Sequence, residues 1–149
     1  MSARKNFNKS QEVALRLAIE QLYFGYRAFT ASPDRILGQR GLGRVHHRIL
    51  YFVGHNPLIS VNELLAQLKI SKQALNAPLR QLVQMNLIAL ETAEHDRRVR
   101  QLSLTEAGKK LEAQLSGTQL ELLHKVFEQA GEEAADGWRQ VMALLGAEE

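Results

Sequence analysis

The sequence predicts a mainly α chain of the α+β kind: a winged helix-turn-helix with a two-stranded β-wing, flanked by long helices at both ends. Three patterns carry this. Two capped helices follow one another across a two-residue turn between 58 and 82. A strand, a charged tip and a returning strand occupy 87–104. Apolar-rich helical runs lie before and after this centre. The chain reads as one domain, 1–149, with terminal helices in 9–42 and 105–149 around a lobe at 43–104.

In chain order, residues 9–30 form a long helix in which Val13, Leu17, Leu22, Phe24 and Phe29 recur among other apolar residues. Such a helix is apolar over much of its circumference and must be covered on more than one face. "ASPDRILGQRG" predicts a restart: Ser32 as a cap, Pro33 in the first helical position and Gly41 closing a short helix. The next helix runs from Arg44 to about Val53 and is stopped by Gly54 and Pro57.

"LISVNELLAQLKI" then supplies a capping box, Ser60-x-x-Glu63, and core positions Leu64, Leu65 and Leu68. Lys69 and Ile70 alone separate this helix from a second cap at Ser71, the spacing of a helix-turn-helix. The second helix holds Pro78, which lacks an N–H for the Ala74 carbonyl. Two readings fit: a helix from Ser71 that kinks at Pro78, or one that begins only at Asn76. "LIALET" and "VRQLSL" are the wing strands, joined by "AEHDRR". Thr105 caps a long helix through Leu111, Leu115, Leu122 and Phe127; Gly131 breaks it, and a last helix carries Trp138, Val141 and Leu145.

With 45% apolar residues, the 149-residue chain can bury a core. The absence of cysteine excludes disulfides, zinc–cysteine sites and thiol redox sensing, and fits a reducing cytoplasm. No 18-residue apolar run predicts a membrane span, and the basic "MSARKNFNKS" lacks the apolar core of a signal peptide. Charge is uneven. Everything before Gln101 sums to +8 and the remainder to −5, a balance that points to an anionic partner for the first part.

"DRRVRQLSLTEAG" (96–108) resembles the wing and following helix start of the multiple antibiotic resistance regulator (MarR) family. "RGLGRVHHRILYFV", "ISVNELLAQLKIS" and "QLVQMNLIALE" fall at that family's order and spacing. The resemblance implies a cytoplasmic, obligately dimeric, ligand-responsive repressor that binds double-stranded operator DNA. It makes 9–42 and 105–149 dimerisation helices and 43–104 the DNA-binding lobe. Many such proteins release DNA on binding a small, often aromatic, ligand, so a small aromatic or anionic effector is expected. Pro78 and the missing cysteines depart from the pattern.

In a helix-turn-helix the second helix enters the major groove with its N-terminal residues nearest the bases. Ser71 starts it. Lys72, Gln73, Asn76 and Arg80 lie opposite Leu75, Leu79 and Leu82, and amide and guanidinium groups of this kind read adenine and guanine. The wing tip has arginines at 97, 98 and 100. The resemblance assigns Arg98 to the minor groove with Asp96 orienting it, and Arg97 and Arg100 fit phosphate contacts. It also places a ligand pocket where Tyr26, Phe29 and His46 lie. The alternative function is a winged-helix module that binds protein, against which the polar reading face and basic wing argue. No two histidines stand four apart, and no phosphate loop or nucleophile motif occurs, so the sequence predicts no metal, no cofactor and no enzyme.

Overall fold

The computed structural model describes residues 5–148; the first four residues of the basic N-terminus and the last residue lie outside them. Helix α1 (Lys9–Gly38) is followed by α2 (Arg44–His55), β1 (Ile59–Ser60), α3 (Val61–Leu68) and α4 (Lys72–Gln84). Strands β2 (Ile88–Thr92) and β3 (Arg100–Leu104) form the wing, and α5 (Glu106–Ala130) and α6 (Glu132–Gly146) end the chain. The antiparallel sheet has the order β1-β3-β2.

Helix α1 starts at a capping box in which Asn8 and Gln11 serve each other's backbone N–H. It does not restart at Ser32, as the sequence suggested, but runs through Pro33 to Gly38. The proline costs the helix one rung, the bond to the Phe29 carbonyl. That carbonyl is served from outside: Gln119 Nε2 on α5 donates to it at 3.3 Å. The Pro33 ring is itself fully buried. A satisfied carbonyl and a buried ring together remove the reason to break the helix. Gly41 closes the turn as expected, in the left-handed region at φ +70°.

Helix α2 also outruns its expected end, continuing past Gly54 to His55. Here the glycine serves packing: a Cβ at position 54 would stand 2.9 Å from Leu104 Cδ1. Ile49, Leu50 and Val53 on α2 are buried together with Leu64 of α3, Leu75 and Leu82 of α4, Leu102 of β3, and Leu111 and Leu115 of α5. This cluster is the core, and α2 runs through its centre.

The helix-turn-helix forms as the caps predict. Ser60 and Glu63 close a capping box, Lys69 takes the left-handed turn at φ 54°, and Ser71 Oγ accepts the Ala74 N–H at 3.1 Å. Helix α4 therefore begins at Lys72 and passes through Pro78 unbroken, so the reading that starts it at Asn76 does not hold. The wing gains a strand: Ile59 pairs with Leu102 and Ser60 with Gln101. Two residues are too short to show an alternation, so the two-stranded wing of the sequence reading becomes a three-stranded sheet. Thr105 caps α5 and donates to the Asn86 carbonyl at 2.8 Å, while Gly108 crosses Leu87 so closely that a Cβ would overlap its carbonyl. The wing is thus fixed to α5.

Apolar cover is incomplete at the two ends. In α1 only Thr30, Pro33 and Leu37 are buried, whereas Val13, Leu17, Ile19, Leu22, Tyr23 and Phe24 are exposed. In α6, Trp138, Val141, Leu144 and Leu145 are exposed.

Because α4 is helical on both sides of Pro78, Pro78→Ala restores the missing hydrogen bond to Ala74. The expected gain is about 1–2 kcal/mol, the helix-interior penalty less the entropy the proline removes from the unfolded chain. A melting curve checks this: the midpoint rises, and a fall of several degrees contradicts a helix that begins at Lys72.

Candidate nucleic-acid interface and adjoining cavity

On α4 the two faces separate as the spacing requires. Leu75 and Leu82 are fully buried and Leu79 is half-buried, while Lys72, Gln73, Asn76 and Arg80 are exposed. The structure gives these four side chains no hydrogen bond or ion pair among the described residues. Ser71 differs, because its hydroxyl is occupied as the cap. The result is a row of donors and acceptors with no internal partners among the described residues, displayed along the first three turns of a helix that leucines hold down.

At the wing tip the backbone doubles back through Ala93 N–H to Val99 O at 2.9 Å and Val99 N–H to Asp96 O at 3.1 Å. Asp96 accepts three bonds from Arg98: its backbone N–H at 3.0 Å, Nε at 3.2 Å and Nη2 at 3.2 Å. These bonds to Arg98 hold the Asp96 carboxyl below the usual carboxylate range. An ion pair this exposed adds little stability. Its effect is geometric: the guanidinium, with its side chain 91% accessible, is held at one angle beyond the tip. Arg97 and Arg100 are exposed beside it, without a partner among the described residues. Three cations on a short, exposed hairpin suit a polyanion.

Above this lobe, a cavity of about 680 Å³ opens between the C-terminal part of α1, α2 and the middle of α5. Tyr26 and Phe29 line it. His46 does not, and this corrects its assignment to the pocket. Its Nδ1 accepts the Gly43 N–H at 2.9 Å, so Nε2 carries the proton, which it directs at Gln81 Oε1, 2.8 Å away on α4. Neighbouring residues on a helix point about 100° apart, so the adjacent His47 lines the cavity instead. His47 Nε2 lies 3.2 Å from Ser116 Oγ, which donates in turn to Glu112 at 3.2 Å.

Two arginines reach the cavity in different electrostatic states. Asp34 holds Arg44 through two bonds from Nε, at 3.1 and 3.2 Å, and one from Nη2 at 2.9 Å. Arg48 donates to the Tyr26 hydroxyl at 2.9 Å and has no carboxylate partner among the described residues. Sequence reasoning passed over Arg48, His47 and Gln81. For Gln81 a signal existed, a polar residue set between core leucines at 79 and 82. For Arg48 none did, because its role depends on which arginine Asp34 captures. Among the described residues no group of three or more His, Asp and Glu side chains is placed to hold a metal, and no helix is long and apolar enough to cross a membrane.

A winged helix-turn-helix with these faces defines the class: a DNA-binding transcriptional regulator, not an enzyme. The model of the MarR family matches residues 40–99. The HTH-type transcriptional regulator PetP of Rhodobacter capsulatus is 42% identical over 131 residues, covering 88% of this chain and 79% of that protein. The chain belongs to the MarR family. Solved structures share the fold at lower identity. Streptococcus pneumoniae FabT in complex with DNA superposes with a TM-score of 0.78 at 16% identity, covering 91% of this chain and 99% of that one. NadR in complex with 4-hydroxyphenylacetate does so with a TM-score of 0.70 at 22% identity, covering 97% of both chains.

His47 gives a pH signature. Burial lowers its pKa from the ordinary 6.5, the Arg48 charge lowers it further, and Asp34 opposes both. The unfolded chain therefore binds the proton first as pH falls. Stability from the neutral imidazole is complete above the unfolded pKa of 6.5 and is lost as pH falls through the lower folded value. In urea titrations at stepped pH, the midpoint should decline below 6.5, and His47→Gln should flatten that decline. Equal slopes in the two proteins would contradict this assignment.

Proposed function

We propose that the chain is a dimeric repressor that binds operator DNA and leaves it when a small anionic aromatic compound fills the cavity. One pair of features supports the DNA-binding half of this reading: α4 carries an exposed polar face without internal partners, and the wing carries an arginine that its own aspartate holds outward. Lys72, Gln73, Asn76 and Arg80 then meet the major groove, with Ser71 fixing the helix start. Arg98, steered by Asp96, enters the neighbouring minor groove, and Arg97 and Arg100 meet phosphates. FabT, of the same fold, was solved in complex with DNA.

The dimer reading rests on the exposed apolar residues of α1 and α6. A helix apolar on several sides is stable in water only when covered, and a second copy of the same chain offers the matching surface. Segments 9–42 and 105–149 would then join the copies and leave each 43–104 lobe to engage one half-site. The effector reading rests on Tyr26, Phe29, Tyr51 and Phe52 lining the cavity with Arg48, whose charge no carboxylate answers. NadR holds 4-hydroxyphenylacetate, an anionic aromatic compound. The compartment this reading implies is the cytoplasm, where operator DNA is found.

Alanine at two of the three wing arginines tests the site. Arg98→Ala should weaken operator binding by about 1–3 kcal/mol and relax any A·T preference at the flanking positions, with the melting temperature unchanged. Arg97→Ala should weaken all duplexes evenly and lower the salt dependence of binding by about one ion. Binding isotherms at several salt concentrations separate the two. Unchanged affinity in Arg98→Ala would remove the wing from the interface.

A further inference from the structure

We infer that the His46–Gln81 hydrogen bond sets the angle at which α4 meets DNA, which makes Gln81 a positioning residue for base recognition. The inference rests on the reading of α4 as the helix that contacts DNA. Among the described residues, Gln81 makes the only side-chain hydrogen bonds from α4 to any other part of the fold. Its Oε1 accepts from His46 Nε2 at 2.8 Å, and its Nε2 donates to the Gly41 carbonyl at 3.3 Å. His46 is fixed in turn, because its Nδ1 accepts the Gly43 N–H at 2.9 Å. The three bonds form a closed circuit. It leaves the turn before α2, passes through His46 to α4, and returns through Gln81 to the same turn.

The remaining attachment of α4 is apolar: Leu75, Leu79, Leu82 and Val83 pack on the core. Burial of apolar area has no preferred direction, and leucine contacts tolerate small rotations of the helix about its axis. A hydrogen bond does have direction, and it weakens steeply as its angle departs from linear. Base reading needs that directional control, because a bidentate amide must meet a base edge in one plane. Pro78 sharpens the requirement. It removes the backbone rung to Ala74, inside the segment that carries Gln73 and Asn76, and helices bend where a rung is missing. Gln81 lies less than one turn beyond Pro78 and pins the far side of that weak point. The helix that carries His46 also carries His47 and Arg48 in the cavity wall, so the circuit is the polar link between the wall and the reading helix.

The test uses the full chain, the duplex it selects from a random pool, and an unselected duplex of equal length. Gln81→Leu should weaken the selected duplex about ten- to hundredfold, the range of a lost bidentate reading, and leave the unselected duplex within about twofold. Gln81→Glu keeps the acceptor for His46 and should retain discrimination within about threefold of the parent. Removing one partner strands a buried polar group. His46→Phe combined with Gln81→Leu therefore supplies an apolar pair, expected to recover the melting temperature without recovering discrimination. Melting temperature and discrimination recovering together in the paired variant would reduce Gln81 to a structural role and overturn the inference. So would an unchanged selected-to-unselected ratio in Gln81→Leu while Asn76→Ala loses operator binding. If Asn76→Ala leaves operator binding intact, α4 is not the reading helix, and the inference falls together with that reading.

Discussion

From Val13 to Phe24, every large apolar side chain of α1 is exposed, while Thr30, Pro33 and Leu37 of the same helix are buried. The apolar residues of the first half lie on several sides of the helix, so no single neighbouring element of the chain could cover them. The buried half is held by α2 and α5, with Gln119 serving the carbonyl that Pro33 leaves without a donor. This division organises the molecule. One end of α1 belongs to the core that supports the helix-turn-helix lobe. The other end, with α6, belongs to whatever completes the apolar surface, for which the family reading proposes a second chain. In the proposed dimer, two copies of α4 held by such a joint would face DNA as a pair, and their separation would decide whether both grooves are met.

Helix α2 connects the parts within one chain. Its apolar residues Ile49, Leu50 and Val53 fill the core, and its polar residues divide between two tasks. Arg44, His47 and Arg48 face the cavity, while His46 faces α4 through Gln81. A ligand that engages the cavity face would act on the same helix that holds α4. Coupling requires no long chain of contacts, because one helix borders both sites.

Much of this was legible in the sequence, and the parts that were not share a cause. The caps at Ser60, Ser71 and Thr105 are local chemistry: a hydroxyl and N–H groups a few residues apart, which tertiary context does not alter. The wing was legible because its arginine-rich tip and flanking leucines also form a local pattern. Pro33, Gly54 and His46 were misread because each answers to a distant residue. Gln119 excuses the proline, Leu104 requires the glycine, and Gln81 turns the histidine away from the cavity. Strand β1 escaped because two residues carry no periodicity; only β3 defines it. At the site, the residue types on α4 and the wing could be read from spacing. The choice of Arg48 over Arg44 as the unanswered charge could not, because it depends on where Asp34 lies.

The central claim is that a pair of these chains, joined through their terminal helices, is the unit that engages DNA. Sedimentation velocity of the full chain at micromolar concentration, alone and with its selected duplex, tests this most directly. The account predicts a free species of twice the chain mass and a complex holding two chains per duplex. A free species of single-chain mass that binds the duplex one to one with full affinity would contradict it.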